Sequence, residues 1–207
     1  MARGLSVALG LVLIAGCGTL PGGGGISART QPATLAFSNP RQGDAVPAPV
    51  SVAFAREGDS LVASFRVTTG KIAARPQLEH NDYPYEHDVV ELFVRNANSR
   101  ASGYLEFEVS PYNQSLQVNV IEPRQEYYFG VKNGFSHSAT IAGDGWEAEM
   151  KIPLAAIGWD GRSPLQLVGN AYAALGEADQ RVYWSLFELP AGKPDFHVPG
   201  AFRPLLQ

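Results

Sequence analysis

The sequence predicts an all-β protein, an antiparallel β-sandwich. Three observations carry this. Short segments alternate apolar and polar residues with period two, turn-forming clusters separate them, and no long amphipathic helix or internal repeat interrupts the series.

The elements follow in chain order. "VSVAFA" (50–55) reads as a strand and leads through the turn signal "EGDS" (57–60) into "SLVASFRV" (60–67), which puts Leu61, Ala63, Phe65 and Val67 on one face. "DVVELFV" (88–94) places Val90, Leu92 and Val94 on one face and Val89, Glu91 and Phe93 on the other. "GYLEFEV" (103–109) alternates again, with Leu105, Phe107 and Val109 opposed to Tyr104, Glu106 and Glu108. "SLQVNVI" (115–121) is a further strand. After the turn signal "AGDG" (142–145), "GWEAEMKI" (145–152) sets Trp146, Ala148, Met150 and Ile152 against Glu147, Glu149 and Lys151. "PLAAIG" (153–158) predicts a short helical turn, and "GWDGRSP" (158–164) another turn. "LQLVGNAY" (165–172) and "RVYWSLF" (181–187) complete the strands.

A charged side chain is rarely buried without a partner, so Glu91 is expected to look outward from the sandwich. The same parity sends Tyr104, Glu106, Glu108, Asn170 and Tyr172 outward on their strands. Parity is silent on whether these strands share one sheet. Trp146, Trp184 and Met150 are expected in the core, and Asp88 is expected to order the loop around Tyr83-Pro84-Tyr85.

Ahead of the strands lies a different kind of sequence. One positive charge at Arg3 precedes an apolar run to Gly16 that is too short to span a bilayer as a helix, so residues 1–16 read as an export signal. Its end, "LIAGC", resembles the lipobox of bacterial lipoproteins, which implies cleavage before Cys17 and acylation of that residue as a membrane anchor. Gly18, and no aspartate, follows the cysteine. The resemblance then implies the outer membrane as destination in a bacterium that has one. Cys17 is the single cysteine, so no disulfide is expected in spite of export. Residues 17–33, with four consecutive glycines, read as a flexible tether, and residues 34–207 as one folded domain.

The formal charge is −4, and −5 once Arg3 is removed; no Lys/Arg cluster stands out, which excludes nucleic acid as an expected partner. The serine-hydrolase elbow, the zinc-protease helix motif and the phosphate-binding glycine loop are all missing from the sequence. His80, His87, His137 and His197 have no metal-ligand spacing. Two carboxylates such as Glu91 and Glu108 are what glycoside hydrolysis needs, yet glutamates on strand faces are common, and no enzyme is expected.

Taken together, "YEHDVVELFV", "YLEFEVSP", "GWEAEMKIPL", "GNAY" and "FHVPGAFRPL" resemble the carbohydrate-binding module family 9-like domains, Ig-like or jelly-roll-like β-sandwiches of the wider DOMON group. The resemblance runs from about Ala53 to Leu206. It implies a non-catalytic domain that holds a sugar ring between two aromatic walls. Those walls fall at Tyr85, six positions before Glu91, and at Phe196, six positions before Phe202, with Glu91 as an acceptor for sugar hydroxyls. Three further ligand positions depart from the family: Glu108 stands where an arginine is expected, Tyr172 where a glutamine is, and Lys193 where an asparagine is. They are read as altered rim positions of a shallow outer-face site. The resemblance implies a carbohydrate ligand, glycan-processing enzymes as partners and a monomer. No cofactor is implied beyond room for a structural calcium. Haem, held in some related sandwiches, is the alternative ligand, and a protein-interaction sandwich without a sugar site is the third class.

Overall fold

The computed structural model describes residues 31, 33–34, 36–37, 50–190 and 195–206. The expected signal segment, Cys17, most of the tether and Lys193 lie outside the described residues.

Thirteen strands occur among the described residues: β1 (Ala33–Thr34), β2 (Ala36–Phe37), β3 (Val50–Glu57), β4 (Ser60–Thr68), β5 (Val89–Asn96), β6 (Tyr104–Val109), β7 (Ser115–Glu122), β8 (Glu126–Phe129), β9 (Ser136–Ala142), β10 (Gly145–Pro153), β11 (Leu167–Leu175), β12 (Val182–Ser185) and β13 (Arg203–Pro204). They form two antiparallel sheets. One has the order β1-β3-β4-β10-β9; the other has the order β2-β12-β11-β5-β6-β7-β8, with β13 pairing β11 beside β12. This is the β-sandwich that the alternating segments predict. "PLAAIG" is a run of tight turns closed by Ala156 N–H to Pro153 O and Ile157 N–H to Leu154 O.

The inner faces meet in one core. Leu61, Phe65, Val67, Trp146, Met150 and Ile152 come from the five-stranded sheet, and Val90, Leu92, Phe107, Val109 and Trp184 from the other. Each is at most 3% exposed, as the period-two pattern requires. Gly103 opens β6 at φ +82°, and a Cβ there would sit 2.0 Å from the Val120 carbonyl oxygen of β7, so only glycine fits.

A second apolar cluster lies on the opposite, outer face of the larger sheet. Phe93, Tyr104, Val118, Val120 and Tyr172 gather there under Phe202, with Phe196 packed against them. The C-terminal segment therefore covers part of a face that sequence parity assigns to solvent. This corrects the expected exposure of Glu91, Glu106, Glu108 and Tyr172: parity chose the correct face, but each of the four is at most 6% exposed.

β8 and β9 are strands that the alternation does not reveal. They lie at or near sheet edges with most residues exposed, so no half-buried pattern marks them.

Candidate functional site

The uncovered part of the outer face forms a cleft of about 390 Å³. Register builds its floor. In one row across the sheet Tyr172 of β11 faces Glu91 of β5, which faces Glu108 and then Leu116. In the next row Phe93 faces Glu106, which faces Val118 and then Phe129. Three glutamates thus point to one side of two adjacent strands.

Their oxygens converge, with one from each of Glu91, Glu106 and Glu108 lying within 4.8 Å of the others. All three side chains are buried, and among the described residues neither carboxyl oxygen of Glu108 has a hydrogen-bond partner of good geometry, although the Tyr85 backbone and the Glu106 carboxyl stand near enough to act on its charge state. Burial raises the Glu91 carboxyl to about 8, with the Glu106 charge adding to the rise and Arg181 opposing it. Burial likewise raises Glu106 to about 7. Glu108 is pushed well above the usual carboxylate range by burial first, then by Glu91 and Glu106.

Aromatic rings stand around this floor. Tyr85, 42% exposed, projects from a 3₁₀ turn at Pro84–Glu86 and stacks on Tyr83 at 5.2 Å. Arg181 holds that turn: its Nη2 donates to the carbonyls of Tyr85 at 2.7 Å and His87 at 2.5 Å. Asp88 anchors the same region, as the sequence predicts, accepting from the Ala73 N–H at 2.8 Å and the Gly176 N–H at 2.7 Å. Burial raises its pKa, and those two donors act against the rise.

Phe196 lines the cleft from the C-terminal segment. Its ring stacks on Tyr172 at 4.2 Å and 14°, and the Tyr172 hydroxyl donates to the Phe196 carbonyl at 3.0 Å. Next to it His197 Nδ1 is hydrogen-bonded to the Tyr104 hydroxyl at 2.7 Å; burial lowers the imidazole to about 4 and keeps it neutral, with the charge of Arg124 acting in the same sense. Asp195, also at the cleft, pairs with Arg124.

The sequence-derived residues therefore divide. Tyr85, Glu91, Glu108 and Phe196 line one cleft. Tyr172 is fully buried and backs Phe196, so it supports a wall and is not a rim residue, because the C-terminal segment lies across it. Glu108 is at the floor and not the rim, because it sits on β6 between β5 and β7. Lys193 lies outside the described residues. Sequence reasoning passed over Glu106, whose parity with Glu108 was the available signal. It also passed over Phe129 and Tyr127, which come from the unpredicted β8, and over Tyr183 and His197.

For a divalent ion the described residues bring together two groups of three, the glutamates of the cleft and Asp82, Glu86 and His87. In the second, His87 Nε2 sits 2.9 Å from both Asp82 oxygens, and hydrogen bonding with His87 first and Glu86 next holds Asp82 at about 2; Arg75 lies 3.6 Å away, so that carboxylate is already satisfied. Met150 is fully buried in the inner core, away from the outer-face cleft.

No protein-family model matches the chain. It is 31% identical over 126 residues to the UPF0462 protein C4orf33 homolog of Mus musculus, a match covering 58% of this chain and 61% of the mouse protein. A stretch of 93 residues is 29% identical to an extracellular protein of Arthroderma benhamiae and covers 39% of this chain and 42% of that one. The chain spans about three fifths of the length of the mouse and rat relatives it matches. Among solved structures, a Bacteroides uniformis protein provisionally named carbohydrate-binding superposes with a TM-score of 0.67 at 20% identity, over 83% of this chain and 84% of that one. A family 9 carbohydrate-binding module of Caldicellulosiruptor kristjanssonii, solved with cellotriose, gives 0.51 at 15% identity over 83% and 79%. At these identities the likeness establishes the fold: this chain is a β-sandwich of the kind found in those two structures.

Proposed function

We propose that the protein is a non-catalytic carbohydrate-binding domain whose ligand enters the outer-face cleft. The observation that carries this reading is that two aromatic side chains from distant parts of the chain, Tyr85 and Phe196, line the same cleft as the acid floor of Glu91 and Glu108. Sugar C–H faces stack on aromatic rings, and carboxyl groups bond to hydroxyls. A cleft of about 390 Å³ is within the range of small-ligand sites, roughly 300–1,000 Å³. Two superposable structures with sugar-binding names lend support. With so few contacts the dissociation constant falls in the micromolar to millimolar range, on the order of −4 to −8 kcal/mol.

The reading extends to the whole chain. Residues 1–16 direct export, Cys17 is acylated, and the tether displays the domain from a membrane, the outer one in a bacterium that has two, beside glycan-processing enzymes. Replacement of Cys17 by serine then releases the protein from the membrane fraction.

Isothermal titration of the purified protein with a panel of mono- and disaccharides tests the binding. Saturable heat that disappears in Tyr85→Ala is expected. Silence across the panel at millimolar sugar overturns the reading.

A further inference from the structure

Neutral sugar recognition leaves one feature of the cleft unexplained. Glu91, Glu106 and Glu108 bring one oxygen each within 4.8 Å of the others, and all are buried. Glu108 is 0% exposed, lines the cleft, and among the described residues has neither oxygen in a hydrogen bond of good geometry. An unpartnered buried carboxyl group is costly, and folded proteins seldom keep one without a use for it. The cations near it are committed elsewhere among the described residues. Arg181 donates to two carbonyls, Arg124 pairs with Asp195, and His197 is neutral and bonded to Tyr104.

We propose that the cleft takes a sugar bearing a protonated primary amine, with the ammonium seated among Glu91, Glu106 and Glu108. This rests on the sugar-binding reading and narrows it to amino sugars. An ammonium has three N–H donors and no acceptor, and ionised carboxylates accept only, so the three glutamates match it in number and kind. Three acceptors arranged tetrahedrally at about 2.8 Å from one nitrogen stand about 4.6 Å apart, inside the 4.8 Å within which the three glutamate oxygens lie. The rings of Tyr85, Phe129, Tyr183 and Phe196 line the same cleft, where aromatic faces attract a cation as well as stack on a sugar ring. A bare divalent ion fits the oxygens but leaves most of the volume of about 390 Å³, and the aromatic rings, without a role. Seating the cation displaces protons from the carboxyl groups to solvent, so binding carries a proton release that a neutral sugar does not cause.

The test is titration of the purified protein at neutral pH with glucosamine, glucose, N-acetylglucosamine and calcium chloride, in two buffers of different ionisation enthalpy. Glucosamine is expected to bind roughly tenfold or more tightly than glucose, with a buffer-dependent heat, while the acetylated sugar loses that advantage. In Glu108→Gln, and separately in Glu106→Gln, the ratio of glucosamine to glucose affinity falls toward one. Equal affinity of the wild-type protein for glucosamine and glucose overturns the ammonium site and leaves sugar binding standing. Heat with calcium alone assigns the triad to a metal and overturns the proposal. No heat with any of the three sugars overturns the proposal and the underlying reading together.

Discussion

Glu91 and Glu108 stand directly opposite each other across the β5–β6 ladder, both buried, with a Glu106 oxygen within 4.8 Å of each. Like charges in directly opposed strand positions repel, and burial removes the water that screens them. The cluster answers by keeping protons. Burial and mutual repulsion lift Glu91 to about 8, Glu106 to about 7 by burial, and Glu108 well above the usual range.

That arrangement sets a pH dependence. A carboxyl group with a raised folded pKa favours the folded state fully below its unfolded value of 4.5, and the advantage is lost as pH climbs through the folded value. Loss from Glu91 and Glu106 therefore runs from about pH 4.5 up to about pH 8, and Glu108, raised as well, adds to it. His197 acts the other way. Its folded pKa of about 4 lies below 6.5, so its contribution is lost as pH falls from 6.5 toward 4. The groups facing the triad are Tyr85, Tyr172 and Arg181; the phenols are neutral here and Arg181 opposes the rise at Glu91. Three glutamates lose stability above about pH 4.5 against one histidine that gains it, so stability is expected to be highest at about pH 4.5 and to fall toward pH 8, with a slope on the order of 1.4 kcal/mol per pH unit for each titrating group. Urea midpoints across this range measure it; a plateau from pH 6 to 8 counts against buried, protonated glutamates.

Glu108→Gln keeps the shape of the side chain and removes the ionisable group. It is expected to raise the urea midpoint at pH 8 and to change it little at pH 5, where the carboxyl groups hold their protons anyway. A site built for ligand at the expense of stability behaves this way. An equal shift at both pH values points to packing instead.

Asp88 ties the segment before Tyr85 to the end of β11 by accepting from Ala73 and Gly176. Asp88→Ala strands two backbone N–H groups at a buried position, at a cost of about 1–3 kcal/mol each. Equilibrium unfolding is expected to show a loss of that size, together with weaker sugar binding because the turn carrying Tyr85 loses its anchor. A stable variant with intact binding argues that the turn is held by Arg181 alone.

Tyr172→Phe removes the hydroxyl that donates to the Phe196 carbonyl but keeps the ring stack. That carbonyl still accepts from the Val198 N–H, so no orphaned acceptor results and the loss is expected near 1 kcal/mol. Phe196→Ala, by contrast, removes a cleft wall. Its sugar affinity should drop far more than its stability, and thermal unfolding beside titration separates the two.

In the inner core, Trp146 is 1% exposed and its Nε1 has no hydrogen-bond partner among the described residues. Trp146→Phe gives up volume but also an unpaired polar group, and is expected to cost well under the ~3–5 kcal/mol of Trp146→Ala. Similar losses for both variants point to a bound water serving the indole.

Much of this was legible from alternation alone. Leu61, Phe65, Phe107, Trp146 and Met150 are in the core that their parity predicts, since neighbouring side chains on a strand must point to opposite faces. The same rule assigned Glu91, Glu106, Glu108 and Tyr172 to one side of their strands. β8 and β9 escaped it because they pack through few side chains, Tyr127 of β8 and Ala139 of β9, and leave most of their residues exposed.

What the sequence by itself determined was the sandwich class and the facing of each strand, because both depend on a backbone period that neighbouring residues share. Tertiary structure decided the site. β11 and β5 became neighbours through pairing between distant segments, and Phe196 and Phe202 folded back over the outer face against its apolar cluster. The walls of the cleft, Tyr85 and Phe196 among them, took water away from three glutamates that a strand pattern can only describe as facing out. Depth and charge state are set by everything packed around a side chain, and no local period carries that information.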